Sequence, residues 1–253
     1  MANDFTPNKL TLWLLDEMQA KRKGGLYGKT QVKFAYNSNR IEGSKLTEEQ
    51  TRYIFETRTI GFKDQEAVPV DDIIETTNHF VAFDYLLRTV SEPLCEDIIK
   101  EFHRILKTGT ADAQKDYFRV GDYKMLANEV GGRQTAKPSE VAQEMRALQR
   151  WYSAIKDVTI HTLAEYHWRF ESIHPFQDGN GRVGRLILFR ECLRHGIMPF
   201  VIDNDHKAYY YRGLSEFKHT PGFLTGTMQS AQDTYAAWIK YFNADLLADL
   251  KIE

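Results

Sequence analysis

The sequence has little of what marks a secreted, membrane-bound or nucleic-acid-binding protein. Among 253 residues there are two cysteines, Cys95 and Cys192, which form no metal-binding or redox motif, so we expect both to be reduced, buried and structural. No apolar run approaches the ~20 residues that cross a membrane, and the first ten residues lack the pattern of a secretory signal. A net charge of −2 argues against a dedicated nucleic-acid binder, which carries a basic excess. We therefore expect a cytoplasmic protein that binds neither membranes nor nucleic acid.

In place of these features, apolar residues recur at helical spacing along most of the chain, which predicts an all-α fold. The pattern is clearest at Val141, Met145, Leu148, Tyr152 and Ile155. Helix starts are predicted at Thr6-Pro7, Thr47 (a capping box with Gln50), Asp71-Asp72, Ser91 and Ser139. Further predictions are a first helix that ends at Gly24-Gly25, an apolar stripe of Ile74, Val81 and Tyr85, and a last helix that reaches Leu246.

One segment departs from helical spacing. Residues 121–134 contain Tyr123, Met125 and Val130 and the pair Gly131-Gly132. Two adjacent glycines suit a tight turn between short strands. The sequence therefore predicts one short β-hairpin in an otherwise helical protein.

Glycine and charged residues are concentrated at residues 174–185, between two predicted helices. Pro175 disfavours helical backbone at His174, so the preceding helix should end there. Gly179, Asn180 and Gly181 allow backbone conformations that are closed to most residues, and the next helix should start at about residue 182.

The start of that helix has the elements of an anion site. Free N–H groups at a helix N-terminus favour an anion, and Arg182 and Arg185, three residues apart, can face the same side. Asp178 supplies a carboxylate and His174 a potential base. Together these residues indicate a polyphosphate site.

The string HPFQDGNGRVGR at 174–185 resembles the signature of the Fic (filamentation induced by cyclic AMP) family, His-Pro-Phe-x-Asp/Glu-Gly-Asn-Gly-Arg-x-x-Arg, at every fixed position. The resemblance implies an all-helical core in which the signature loop joins two central helices. It also implies transfer of AMP from ATP to a Tyr, Thr or Ser hydroxyl of a target protein.

The resemblance also implies a role for each signature residue. His174 would deprotonate the target hydroxyl, a task that suits imidazole near neutral pH. Asp178 would hold a Mg²⁺ ion on the α- and β-phosphates, while Phe176 is expected to be a core anchor. The implied nucleotide-binding residues of the signature are Gly179, Asn180, Gly181, Arg182, Gly184 and Arg185, with Arg185 on the γ-phosphate.

Two other segments are similar to parts of the family. Residues 210–214 (YYRGL) resemble a Tyr-Tyr-x-x-Leu segment whose tyrosine lines the adenine pocket, which implies that role for Tyr210 or Tyr211. Lys218 stands where some relatives carry an asparagine that contacts the adenosine, so the chain departs from the pattern there. The hairpin near residues 126–135 matches the family's flap, to which a target segment adds as an extra strand.

A second motif lies at residues 36–47. Ser38, Glu42 and Gly43 are similar to the inhibitory motif Ser/Thr-x-x-x-Glu-Gly/Asn of many Fic proteins. Ser38 and Glu42 are four residues apart and share a helical face, and Gly43 can end that helix. The resemblance implies that Glu42 pairs with Arg185 and thereby restrains the enzyme.

Several functions remain open at this point. Fic relatives also transfer UMP, phosphocholine or phosphate, although the intact glycine turn disfavours the phosphate-transferring branch. Some proteins with the inhibitory glutamate remove AMP from the modified target, in which case Glu42 would help to position a water. Outside enzymes, the chain could be a nucleotide-sensing regulatory module, but a pure sensor needs no base such as His174.

The predicted organisation has three parts: an N-terminal helical region at 1–90, a Fic core at 91–218 and a C-terminal helical tail at 219–253. ATP and a target protein are the predicted partners, with self-modification as a further outcome. A homodimer is compatible with the sequence, which identifies no surface for it. His167 lies on an apolar stripe and is expected to be a core hydrogen-bonding residue, because no zinc-protease pattern includes it.

Overall fold

A computed structural model describes residues 6–61 and 67–243. These residues form ten α-helices, two 3-10 helices (Asp112–Gln114 and Asn204–His206) and one antiparallel hairpin. The helices are α1 (Lys9–Gln19), α2 (Leu26–Ile41), α3 (Glu48–Thr57), α4 (Val70–Thr89), α5 (Glu96–Lys107), α6 (Pro138–Ser153), α7 (Ile160–Ile173), α8 (Asn180–His195), α9 (Lys207–Glu216) and α10 (Gly222–Phe242). The predicted fold class, all-α with one short hairpin, is confirmed.

Helix α8 lies at the centre of the fold, in contact with α2, α4, α5 and α7. Gly179 (φ 80°) precedes it and Gly196 (φ 68°) ends it, both in the left-handed conformation that glycine adopts without steric cost. Because nearly every α8 side chain is buried, its charged groups need partners inside the protein. Arg190 accordingly donates to the carbonyl oxygens of Thr89 and Glu92, at the end of α4.

One cluster of buried apolar side chains extends from Leu10 in α1 to Ile239 in α10. The predicted divisions at 90/91 and 218/219 fall between α4 and α5 and between α9 and α10. The core crosses both divisions, and the three-part organisation stays a prediction. Leu246, predicted for the last helix, lies outside the described residues.

The hairpin consists of strands β1 (Glu129–Val130) and β2 (Arg133–Gln134), with Val130 opposite Arg133. Gly131 and Gly132 have φ values of 56° and 74°. Positive φ at both central residues is what a tight two-residue hairpin turn requires, so the paired glycines explain why the chain reverses here.

The predicted start of α3 is confirmed and that of α1 is wrong. Thr47 and Gln50 form a capping box before α3 with both reciprocal hydrogen bonds. In α1 the cap is Asn8, whose side chain accepts from the Thr11 N–H at 2.8 Å, and not Thr6. An asparagine oxygen this close to the free N–H groups satisfies them directly, which leaves Pro7 outside the helix.

The first helix does not continue to Gly24-Gly25, because α1 ends at Gln19. Gly25 instead precedes α2, and a Cβ atom on it would lie 2.1 Å from Oε1 of Glu17. The same carboxylate accepts from the Tyr27 N–H at 2.8 Å. Gly25 therefore lets the start of α2 lie close to a buried glutamate of α1.

Three other helix starts differ from the predicted residues. Helix α4 begins at Val70 and has Asp71 and Asp72 in its first turn, where acidic side chains stabilise the positive helix end without capping it. Helix α6 begins at Pro138, one residue before the predicted cap Ser139. Helix α5 begins at Glu96, so Ser91 lies in the preceding turn.

Two burial predictions are wrong. Cys95 is exposed because it lies at the N-cap of α5, whereas Cys192 is buried in α8 as expected, and neither forms a disulfide. In α4, Val81 is 51% exposed while Phe83 and Leu87 are buried. Because α4 contacts α2, α5 and α8, its buried surface is broad and the predicted stripe does not mark its centre.

In the part of the chain that the structure describes, no helix is both long and apolar enough to cross a bilayer.

Candidate active site

The loop between α7 and α8 has two residues in left-handed backbone conformation. His174 (φ 51°, ψ 63°) ends α7, and its N–H donates to the Phe170 carbonyl at 2.9 Å. Gly179 takes the same conformation just before α8. A histidine rarely adopts positive φ, so its surroundings must hold it there. The loop thereby presents His174 beside the N-terminus of α8.

Asn180 clamps the loop from within. Its side-chain oxygen accepts from the Phe176 N–H at 2.8 Å, and its amide donates to the Phe176 carbonyl at 2.9 Å. The Phe176 ring is buried and stacks on His103 with centroids 4.1 Å apart. The expected role of Phe176 as a core anchor matches this position, and the Asn180 side chain is committed to the loop.

The flap is attached to the same loop. Lys124 N–H donates to the Pro175 carbonyl at 2.9 Å, and the Asn128 amide donates to the Phe176 carbonyl at 3.1 Å. The hairpin therefore lies beside the signature loop at a fixed position.

A cavity of about 1110 Å³ opens between the flap, the signature loop and α9. It is large enough for a nucleotide-sized ligand, since small-molecule sites span ~300–1000 Å³. Residues on its wall include Glu42, His174, Gly181, Arg185, Tyr210 and Tyr211. These residues come from three separate stretches of sequence, and all six were predicted as site residues.

Arg185 is buried and held by the end of α2. Its Nη2 lies 2.7 Å from Oε1 of Glu42 and 2.9 Å from the Ser38 carbonyl oxygen, and its Nε donates to Ser38 Oγ at 3.0 Å. Burial by itself lowers the pKa of the guanidinium, but Glu42 holds that pKa above its ordinary value. Gly43 (φ 105°) turns the chain away directly after Glu42.

Glu42 also lies over the first turn of α8. A Cβ atom on Gly181 would come within 2.3 Å of Glu42 Oε1 and 2.9 Å of Arg185 Nη1. The N–H groups of this turn have no acceptors within the helix. A carboxylate of the chain itself therefore lies where the helix N-terminus and Arg185 together favour an anion.

Asp178 and Arg182 lie apart from the cavity wall, in a charge network whose two cations are buried. Asp178 Oδ2 is 2.7 Å from Lys107 Nζ and 3.1 Å from Arg182 Nη2. Glu75 bridges the same two cations at 2.6 Å and 2.5 Å. Burial raises the pKa of Asp178, but Arg182 and Lys107 hold it well below its usual range, so the carboxylate is ionised.

The two tyrosines of α9 differ in environment. Tyr210 is buried and its hydroxyl lies 2.7 Å from His167 Nε2, which is the core hydrogen bond expected of His167. Tyr211 is partly exposed and donates to the Ile41 carbonyl at 3.3 Å. Lys218 also lines the cavity.

Sequence reasoning missed Lys107, Glu75 and Glu171. Glu171 is in α7, and its Oε2 lies 3.6 Å from Nδ1 of His174. Its position three residues before His174 is a helical-face spacing that could have identified it. Lys107 and Glu75 are 71 and 103 residues from Asp178, so no local pattern connects them to it.

Residues 93–191 match the model of the Fic/DOC family. The protein adenylyltransferase Fic of Drosophila melanogaster is 29% identical over 185 residues, which cover 71% of this chain and 36% of the fly protein. Its counterpart in Drosophila erecta is 30% identical over 189 residues, covering 71% and 35%. The chain thus spans little more than a third of the length of these curated relatives.

Solved structures show the same fold. A Fic domain-containing signaling protein from Bacteroides thetaiotaomicron aligns with a TM-score of 0.68 at 24% identity, over 94% of this chain and 93% of that one. A fragment of Fic-1 from C. elegans aligns with a TM-score of 0.67 at 20% identity, over 94% and 72%. At these identities the similarity shows the fold alone.

A helical fold whose signature loop places His174 beside the N-terminus of α8 is that of a Fic-type protein. The chain belongs to the Fic family, and its family-matched segment is residues 93–191. Ser38, Glu42, Tyr210 and Tyr211 lie outside that segment. The roles of individual site residues stay predictions.

Proposed function

We propose that this chain is a protein adenylyltransferase restrained by Glu42. The single observation that carries the proposal is the Glu42 carboxylate, which lies against Gly181 and binds Arg185 at the start of α8. A site that holds a carboxylate of its own chain at a helix N-terminus is suited to phosphate. The relatives named adenylyltransferases support the reaction class.

In the proposed reaction His174 accepts the proton of a target hydroxyl. The hydroxyl oxygen forms a bond with the α-phosphorus of ATP, the bond from that phosphorus to the bridging oxygen breaks, and pyrophosphate leaves. Arg185 would bind the γ-phosphate after Glu42 withdraws. Its Nη1 is buried and, among the described residues, has no hydrogen-bond partner, so one donor is already available.

The donor set near Asp178 fits a Mg²⁺ ion that is held mainly by the nucleotide. Asp178 is ionised and its side chain is 49% exposed. Within residues 6–61 and 67–243 no cluster of three or more metal-binding side chains occurs, which suits an ion with one protein carboxylate, phosphate oxygens and water. Asp178 would hold the ion, and the ion would neutralise charge on the α- and β-phosphates.

Restraint would follow from competition for Arg185. A hydrogen bond between charged groups contributes about 1.5–3 kcal/mol net, which corresponds to roughly ten- to a hundredfold in apparent affinity. A misplaced α-phosphate would reduce transfer further, because in-line attack depends on position. The target would dock on the flap, where β1 and β2 offer an edge for an added strand.

The test compares wild type, Glu42→Gly and Glu42→Gly/His174→Ala. Each is incubated with Mg²⁺ and ATP labelled on the α- or the γ-phosphate, with and without a protein extract as a source of acceptors. We expect α-label on protein with Glu42→Gly, at least about tenfold above wild type, and its loss when His174 is also replaced.

Other outcomes contradict the proposal in distinct ways. Transfer of γ-label would identify a phosphotransferase. Release of AMP from pre-modified protein as the faster wild-type activity would identify a hydrolase. Equal ATP binding by all three proteins without any transfer would identify a nucleotide-sensing module.

A further inference from the structure

Glu171 is a largely buried carboxylate, and among the described residues its Oε1 has no hydrogen-bond partner. Its side chain is 13% exposed, and no described residue offers a group within hydrogen-bond distance of Oε1. The nearest cationic or imidazole nitrogen to Oε2 is Nδ1 of His174, at 3.6 Å. A buried carboxylate left in this way is costly, so its position calls for a functional explanation.

The carboxylate is ionised despite its burial. Burial raises the pKa of Glu171, but His174, His167 and Arg185 together bring that pKa below its ordinary value. The titratable groups that face Glu171 are His167 and His174, Arg185 on α8, and Tyr210 and Tyr211 on α9. The other charged or titratable residues on the wall of the same cavity are Glu42, Glu129, Arg212, Lys218 and His219.

Near pH 7 His167 carries no positive charge that could balance the Glu171 carboxylate. Burial lowers the pKa of His167 to about 4, so it is neutral at pH 7. Burial also holds the pKa of Tyr210 well above its ordinary value, so the Tyr210 hydroxyl is protonated and can donate to His167 Nε2 at 2.7 Å. In either tautomer the His167 ring is a neutral neighbour of Glu171 near pH 7.

Gly184 makes room for this pair on the neighbouring helix. A Cβ atom on Gly184 would lie 2.6 Å from His167 Cε1 and 3.0 Å from Glu171 Oε1. The bare backbone of α8 therefore lets Glu171 remain under His174. This contact accounts for Gly184 without a direct role in nucleotide binding.

We infer that Glu171 is a positioning residue for His174. Its carboxylate accepts the Nδ1 proton of His174, which leaves Nε2 as the nitrogen that takes the proton of the target hydroxyl. The same negative charge stabilises the imidazolium that this transfer produces. The gap of 3.6 Å needs to shorten by only a few tenths of an ångström, as catalytic hydrogen bonds do when substrate binds. The inference rests on the proposed function for the role of His174 as a base.

The kinetic test uses the Glu42→Gly background with three changes. Glu171→Gln keeps an acceptor and removes the charge, Glu171→Asp keeps the charge, and Glu165→Gln is the control. Glu165 lies on the same helix, where it pairs with Arg169 at the surface.

We expect Glu171→Gln to lower kcat by about 10- to 100-fold, part of the ~10²–10⁴ that a positioned base contributes, with little change in KM for ATP. Glu171→Asp should recover part of kcat, and Glu165→Gln should match the background.

A second measurement needs no catalysis. Nitrogen-15 NMR of the His174 ring, in wild type and Glu171→Gln without nucleotide, reports which ring nitrogen carries the proton. We expect the Nδ1-protonated form in wild type and a mixture in the variant. An Nε2-protonated ring in wild type would overturn the inference, as would a Glu171→Gln variant with altered thermal stability but unchanged kcat. Failure of Glu42→Gly to transfer AMP would count against the proposed function and leave the NMR result to decide this one.

Discussion

Glu42 and Gly181 are in direct contact, with the carboxylate of one lying on the bare backbone of the other. A side chain at residue 181 would place its Cβ atom 2.3 Å from Glu42 Oε1. The contact joins the end of α2 to the first turn of α8, about 140 residues further along the chain. It brings a negative charge to a helix end that favours one.

This contact predicts the effect of Gly181→Ala. In the Glu42→Gly background the new Cβ atom still lies 2.9 Å from Arg185 Nη1 and fills the space over the helix start. We expect AMP transfer to fall at least about tenfold, since a displaced phosphate loses attack geometry. Gly226→Ala is the matched control, because its Cβ atom would enter open space and should stabilise α10 by up to about 1 kcal/mol. Equal rates of AMP transfer with and without Gly181→Ala would contradict the proposal that phosphate binds over Gly181.

Replacement of Ser38 should release AMP transfer in part. Ser38→Ala removes the acceptor for Arg185 Nε at 3.0 Å, while the Ser38 carbonyl and Glu42 still bind Nη2. Loss of one hydrogen bond costs about 1 kcal/mol, so we expect a rate about fivefold above wild type and below Glu42→Gly. Initial rates of AMP transfer test this order, with the exposed Ser139→Ala as control. A rate equal to that of Glu42→Gly would contradict this order and show that Glu42 cannot restrain the enzyme without Ser38.

Replacement of Lys107 should lower the stability of the fold strongly. Its side chain is 2% exposed and pairs with Glu75, Asp112 and Asp178, so Lys107→Met leaves three carboxylates without this cation. We expect the free energy of unfolding in urea to fall by about 3 kcal/mol, as for other broken buried pairs. Glu75→Gln on top of Lys107→Met should restore part of it. Lys115→Met, which removes an exposed partner of Asp112, should leave stability unchanged; a similar loss in both variants would count against the network.

His79 predicts part of the pH dependence of stability. Burial lowers the pKa of His79 to about 3, and neither ring nitrogen has a hydrogen-bond partner among the described residues. Between pH 6.5 and about 3 the unfolded chain binds a proton that the folded one does not. The free energy of unfolding therefore falls as pH falls, by about 1.4 kcal/mol per pH unit for this residue.

Replacement of His79 by phenylalanine should remove this contribution to the pH dependence of stability. His79→Phe keeps a ring beside Phe34, whose centroid is 4.9 Å away, and should reduce the slope of unfolding free energy against pH by about one proton. Urea unfolding at several pH values between 6.5 and 4.5 measures the slope. The exposed His206→Gln serves as control, and an unchanged slope in His79→Phe would show that this imidazole is not buried in its neutral form.

Some features of the site could be predicted from neighbouring residues, whereas others depend on how the helices pack. The backbone of residues 174–181 was predictable because Pro175 ends α7 and Gly179 permits positive φ, both local effects. The four-residue spacing of Ser38 and Glu42 was likewise readable. The buried face of α4 could not be predicted in this way, since Val81 and Phe83 both suit a helix. Only the positions of α2, α5 and α8 decide which of the two is buried.

Taken by itself, the sequence determined the helical fold class, the glycine turn of the hairpin and the signature loop, because each depends on residues within a few positions of one another. Tertiary structure alone decided that Lys107 and Glu75 meet Asp178, that Glu42 lies on Gly181, and that Glu171 is buried under His174. Charges buried in the same place must be paired wherever they occur in the chain. Their partners are set by how the helices pack, which no local spacing records.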